Sequence, residues 1–303
     1  RMLFDEQGKI TRIEPVYRND AHKLIEECML AANTCAADFL IQNKRPGLYR
    51  VHEGPTPEKL QALRGFLGEF GLQLGGGDEP QAKDYAALLE KIKPRPDAQL
   101  LQTVMLRSLK QAMYSPDNAG HFGLAYDHYT HFTSPIRRYP DLMVHRAIKA
   151  GLAKEKPGKQ PLAEIGMHCS MTERRADEAS RDVESWLKTY YMRDHIGNVY
   201  TGTVSAATSF GIFVALDEVF VEGLVHVTEL GQDYFHYDQG KHWLIGERTG
   251  KRFRLGDRVT VKVVRADIET SKIDFTLVEE PREIRPAETE KPAKKRSKSK
   301  ATS

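Results

Sequence analysis

Gly197-Asn198-Val199-Tyr200-Thr201-Gly202-Thr203-Val204 is the stretch at which the chain changes its hydrophobic rhythm, and that change decides the fold. Before it, apolar residues recur every three or four positions, the spacing of one helix face. After it they alternate. Residues 199–204, 211–216, 221–227, 258–264 and 272–278 read as five short strands separated by turn residues. Five strands over roughly 80 residues predict a small closed Greek-key barrel of the OB type. The expected class is therefore α+β: a mostly helical part over 1–197, the barrel over 198–280 and a basic tail over 281–303.

Upstream of the switch, Asn19 or Asp20 caps a helix carrying Leu24, Ile25, Cys28, Met29, Ala32, Ala36, Phe39 and Leu40 on its apolar side. Glu26 and Asn33, seven apart, share another side. Further helices are expected at about 58–70, 80–93 and 97–114, broken by Gly75-Gly76-Gly77 and Pro94-Arg95-Pro96. Residues 115–138 read as a long ordered loop, the kind of segment in which function concentrates. Helices at about 140–153 and 162–195 follow.

The 303 residues carry a formal net charge of +3, but the average misleads. The tail from Pro281 holds eight Lys and Arg against three Glu, a net +5, which leaves −2 for everything before it. Nucleic-acid affinity in the folded part must therefore come from local patches. The tail has few apolar residues to bury and is expected to be a disordered polycation. No apolar run approaches the roughly 20 residues of a membrane span, and no secretory leader is recognisable. Cys28, Cys35 and Cys169 lack metal-type spacing; Cys28 and Cys35, seven apart in a helical pattern, are expected as buried small apolar residues, and a reducing, cytoplasmic setting fits.

Two segments carry chemistry. Residues 128–141, His-Tyr-Thr-His-Phe-Thr-Ser-Pro-Ile-Arg-Arg-Tyr-Pro-Asp, set hydroxyls, aromatics and two arginines before a helix whose first turn accepts Pro140. Guanidinium and hydroxyl groups beside the free N–H groups of a helix start suit a phosphate-bearing ligand. His121, His128, His131, Asp141 and His145 crowd the same segment, yet the neighbouring arginines would repel a cation. In the barrel, Phe210-Gly211-Ile212-Phe213 places two aromatics three apart, with His226, Asp267 and Lys272 on later hairpins. Stacking aromatics flanked by a cation are what a single-stranded nucleic acid requires. Core packing is the competing reading for either phenylalanine.

Residues 131–142 resemble the segment that the ribonuclease II and ribonuclease R exoribonucleases (the RNB family) carry late in their catalytic domain. Residues 23–33 look like that family's channel-lining helix, and 181–187 like its last helix. Residues 198–279 resemble an S1 RNA-binding domain. A barrel and a lysine-rich tail after the last helix favour the ribonuclease R branch. The resemblance implies the C-terminal half of a catalytic domain followed by an S1 domain. The implied activity is processive 3′-to-5′ hydrolysis of single-stranded RNA to nucleoside 5′-monophosphates. It also implies Mg²⁺, whose aspartate ligands in the family lie upstream of the matched region, so no metal ligand is assigned in this chain and the fragment alone is expected to be inactive. By position, Arg137 matches the arginine that holds the scissile phosphate in the transition state. Glu26 matches a contact to a terminal ribose, and Asn33, Ser134, Arg138 and Tyr139 match the channel wall. Arg138 could equally pair with Asp141. Phe210, Phe213, His226, Asp267 and Lys272 match the RNA face of the S1 fold. Ser180 stands where the ribonuclease II branch has a glutamate, so no role is carried to it. The alternative is a non-catalytic RNA-binding adaptor, with the basic tail meeting the ribosome or trans-translation components.

Overall fold

A computed structural model of the chain describes residues 1–95, 97–238 and 243–278. The basic tail expected at 281–303 lies outside the described residues. A hairpin of β1 (Met2–Phe4) and β2 (Ile10–Ile13) opens the chain. Helix α1 (Asp20–Gln42) follows, and Asn19 starts it: its Oδ1 accepts from the His22 N–H at 2.9 Å, and the His22 ring accepts from the Asn19 N–H in return. Such reciprocal capping satisfies two of the donors that every helix start leaves unpaired. Strand β3 (Tyr49–Val51) leads to α2 (Pro57–Glu69), α3 (Ala82–Ile92) and α4 (Ala98–Ser108). These three helices bury Leu63, Phe66, Leu67, Leu88, Ile92 and Leu101 in a core of their own. Strand β4 (Met113–Ser115) returns to pair with β3, and α5 (Tyr139–Leu152) packs on α1 through Ala36, Leu40 and Val144.

Helix α6 (Leu162–Arg193), 32 residues and about 48 Å at 1.5 Å per residue, ties the two ends of the molecule together. At its start Ser170 Oγ accepts from the Tyr114 N–H at 2.9 Å, and Gly166 lies so close to β4 that a Cβ there would stand 2.7 Å from the Tyr114 carbonyl oxygen. At its end Met192 joins Ile10 and Ile13 against the barrel core.

The barrel closes as expected from five strands: β5 (Val199–Thr208), β6 (Gly211–Leu216), β7 (Glu222–His226), β11 (Arg258–Asp267) and β12 (Lys272–Leu277), in the order β11-β12-β7-β6-β5. Val204, Ile212, Val214, Val225, Val261, Val263 and Phe275 fill it. Gly211, at φ +152°, sits where a Cβ would stand 2.2 Å from the Val225 carbonyl oxygen, so the turn into β6 admits only glycine. Between β7 and β11 the chain adds β8 (Phe235–Asp238), β9 (Trp243–Gly246) and β10 (Arg252–Arg254), an antiparallel three-stranded sheet whose Phe235, Leu244 and Phe253 extend the barrel core.

Two expectations are corrected. The helix expected over 97–114 stops at Ser108, because Met113–Ser115 pairs with Tyr49–Val51 instead, and the Lys110 carbonyl accepts from His52 Nε2 at 2.7 Å. Cys28 and Cys35 are exposed and Cys169 is half-buried. Helix α1 turns Asn33, Ala36, Ala37 and Leu40 inward, leaving Leu24, Ile25 and both cysteines outside that buried strip. Among the described residues no helix is long and apolar enough to cross a membrane.

Candidate functional site

The loop before α5 is held from three sides. Asn33 on α1 is only 2% exposed; its Nδ2 donates to the Tyr129 hydroxyl at 2.8 Å and its Oδ1 accepts from the Phe132 N–H at 2.9 Å. It stands behind the surface, as a brace for the loop, whereas the resemblance implied a place on the channel wall. Thr130 Oγ1 donates to the Leu48 carbonyl at 2.6 Å. From α5, His145 donates to the Phe132 carbonyl at 2.9 Å and stacks on the Phe132 ring at 4.0 Å.

At the tip, residues 135–137 form a turn. Asp141, fully buried in the first turn of α5, accepts from the Ser134 N–H and from Arg138 Nη2, both at 2.7 Å, through the same Oδ1. The side chain of Arg138 is 20% exposed and its charge is answered by Asp141. Asp141 Oδ2, Arg138 Nε and Thr133 Oγ1 are buried without a hydrogen-bond partner among the described residues. The start of α5 thus already holds a carboxylate, and Pro140 lacks an N–H, so the helix N-terminus is not the open anion site that the sequence suggested. Arg137 differs from its neighbour: it is exposed and forms no ion pair among the described residues. Ser134 is half-buried, and Tyr139 is exposed beside Arg137. Glu26, half-buried on α1, is paired with Arg18.

Beneath this turn lies a cationic and aromatic layer that the sequence did not reveal. Arg50 on β3 lies over the Tyr114 ring at 4.6 Å and donates to Glu173 of α6 at 2.6 Å. The Tyr114 hydroxyl and His131 Nδ1 share a hydrogen bond of 2.8 Å. Burial pushes Tyr114 up to about 12, so the phenol keeps its proton. Burial, and after it Arg138 and Arg50, hold His131 down at about 3. Burial, then His52 and Arg50, hold His121 at about 4. Both imidazoles are neutral at pH 7, which keeps the positive charge of the layer on its guanidinium groups. Arg50 and Glu173 are far from the loop in sequence, so no local pattern could have placed them there.

The histidines weighed for a metal are engaged separately: His128 with Asp38, His131 with Tyr114, His145 with Phe132, and His121 with the Leu124 N–H. Among the described residues no group of three or more His, Cys, Asp or Glu could hold a metal ion, so they do not fit a Mg²⁺ site.

On the barrel, Phe210 is 47% exposed and meets half-buried Phe213 edge-on, with ring centroids 6.0 Å apart. His226 is exposed opposite Gly211, its Nδ1 bonded to Thr228 Oγ1 at 2.9 Å. Asp267 and Lys272 face each other across the β11–β12 hairpin. Asp267 also accepts from Arg265 at 2.7 Å, which adds an exposed arginine beside Lys272 that the sequence reading missed.

Comparison with known proteins agrees with both halves. The RNB domain family matches residues 1–154, and the S1 RNA binding domain family matches residues 193–277. Ribonuclease R of Escherichia coli is 51% identical over 291 residues, covering 92% of this chain and 36% of that protein. Ribonuclease R of Vibrio cholerae is 52% identical over 299 residues, with 94% and 36% coverage. The chain thus spans about a third of the length of these relatives. Mycoplasma genitalium RNase R, solved in its apo form and in complex with ribose-methylated single-stranded RNA, superposes with a TM-score of 0.86 at 32% identity, over 91% of this chain and 45% of that one. On the RNB match over half its length and the relatives at this identity, the chain belongs to the RNB family and carries an S1 domain after its RNB part.

Proposed function

We propose that this chain supplies the phosphate-holding and strand-guiding parts of a 3′-to-5′ exoribonuclease that hydrolyses single-stranded RNA to nucleoside 5′-monophosphates. One observation carries the reading. Three arginines converge on the loop before α5; Arg50 and Arg138 are neutralised by Glu173 and Asp141, and Arg137 is exposed with no carboxylate on it among the described residues. Hydrolysis adds negative charge at phosphorus, and a guanidinium fixed on a braced turn, always protonated and forked for two oxygens, stabilises that charge as it develops. Ser134 and Tyr139 flank the phosphate, and Arg138 shapes the turn from behind. Glu26 contacts a ribose, where a carboxylate accepts from a 2′-OH that DNA lacks. The S1 barrel feeds the strand, with bases on Phe210 and Phe213 and the linkers near His226, Lys272 and Asp267. The relative's solution with bound single-stranded RNA supports the substrate class.

Hydrolysis of this kind draws on Mg²⁺ to activate water and neutralise the leaving oxygen. The described residues do not fit that ion, and no step is assigned to it through this chain. The test is incubation of this chain and Mg²⁺ with 5′-labelled single-stranded RNA, resolved beside a chelated control. Intact RNA with a salt-sensitive mobility shift is the expected result. Degradation abolished by the chelator would show that the chain holds its own metal ligands and would overturn the division of labour. Intact RNA with no shift would overturn the RNA-holding role itself.

A further inference from the structure

The small sheet between β7 and β11 has two faces of different chemistry. Phe235, Leu244 and Phe253 point into the barrel core. The alternate residues share the outer face: the register aligns His236, Ile245 and Arg252 in one row, and Asp238, Trp243 and Arg254 in the next. Arg252 and Arg254 lie over the Trp243 indole at 5.6 and 5.8 Å. Arg254 is shared with Asp257, Nη2 to Oδ1 3.3 Å. Arg252 has no ion pair among the described residues. Arg248, in the turn between β9 and β10, continues the positive edge and donates to the Gln232 carbonyl at 2.8 Å, whereas Lys251 lies over the inward-facing Phe253 ring at 5.1 Å. Asp233, Glu247 and Asp257 form no ion pair with Arg248 or Arg252 among the described residues; Asp233 is committed to the Tyr234, Arg248 and Thr249 N–H groups.

We propose that this outer face is a second surface for single-stranded RNA, separate from the Phe210 face of the barrel. This second surface rests on the barrel being an RNA module and extends that role. Phosphates lie on Arg248 and Arg252, and a base lies against the guanidinium groups that overlie Trp243. Such a stack offers π-faces to a nucleobase, which an acidic protein segment would leave unused. The sheet joins the barrel where β11 begins, through the Val204 N–H donating to the Asp257 carbonyl at 2.9 Å. Asp267 stands at the other end of that ten-residue strand, about 30 Å away at roughly 3.3 Å per residue. A short strand that occupies the barrel face therefore does not cover the sheet, and a longer one can occupy both.

The test compares the chain with its Arg248→Gln/Arg252→Gln variant, both exposed positions, on an RNA of about 6 and one of about 20 nucleotides, against site sizes of about 4–16 per OB fold. For the long RNA the variant is expected to bind more weakly, and the slope of log affinity against log salt to fall in magnitude by about 1.4, roughly 0.7 for each lost phosphate contact. Affinity for the short RNA is expected to stay unchanged, with an unchanged melting temperature as the folding control. An unchanged slope and affinity on the long RNA would overturn the proposal and leave the face to an acidic protein. Equal loss on both lengths would also overturn it, by making the sheet part of the barrel site. Phe210→Ala separates the two readings: if it leaves the short RNA bound as before, the barrel reading fails, whatever the sheet does.

Discussion

Adjacent arginines at the tip of one loop are expected to fail in opposite ways. Arg138 covers a carboxylate that is fully buried, whereas Arg137 faces solvent with no partner among the described residues. Replacing Arg138 by alanine strands the Asp141 charge, a loss of about 3–5 kcal/mol for breaking a buried pair from one side. A protein of this size loses about 2–4 °C of melting temperature per kcal/mol, so Arg138→Ala should melt roughly 6–20 °C lower. Arg137→Ala should stay within about 0.5 kcal/mol of the parent, as exposed substitutions do. Thermal melts of the two variants of this chain check that contrast. Turnover in the complete enzyme reverses it. Losing one fixed donor to a developing oxyanion lowers kcat by roughly 10²–10³. RNA affinity, spread over the barrel and the rest of the channel, should change little for Arg137→Ala. Equal loss of affinity and turnover would refute the transition-state role. A large stability loss in Arg137→Ala would refute the premise that this side chain is uncommitted.

Three further outcomes follow from other parts of the molecule. Gly166→Ala drives a methyl group to 2.7 Å from the Tyr114 carbonyl oxygen and should cost about 1–3 kcal/mol, read by urea titration, since both the strand and the helix are fixed by their own hydrogen bonds. Phe210→Ala should weaken single-stranded RNA binding by about 1–3 kcal/mol without lowering the melting temperature, because the ring is half in solvent; a loss of fold would assign it to the core. His131 and His121, held at about 3 and 4 against an ordinary 6.5, remain neutral in the folded chain while the unfolded chain takes up protons. Stability should therefore be indifferent to these groups above pH 6.5. It should fall as the pH drops from 6.5 toward 4, by up to about 1.4 kcal/mol per pH unit for each histidine. His131→Gln, which keeps an acceptor for the Tyr114 hydroxyl, should flatten that slope, and an unchanged slope would show that His131 is not the titrating group.

What the sequence made legible was local. The period change at Gly197 announced the barrel because alternation is a property of neighbours along one strand, and the Asn19 cap announced α1 because capping spans four residues. The Arg138–Asp141 pairing was likewise an i,i+3 relation, open to inspection as one of two readings. The outer sheet escaped because its strands are three or four residues long, too short for a period to accumulate. The layer beneath the loop escaped for a different reason. Arg50 meets Glu173 across 123 positions, and Asn33 meets Tyr129 across 96, so their roles exist only after β3, α1 and α6 have converged. Asn33 illustrates the consequence. The family resemblance implied a place on the channel wall, yet packing of α1 against the loop buries it and spends both ends of its amide. For Arg137 the deciding fact was the partnering of the arginines around it, since Arg137, its neighbour Arg138 and Arg50 of β3 become distinguishable only when the carboxylates opposite two of them are known.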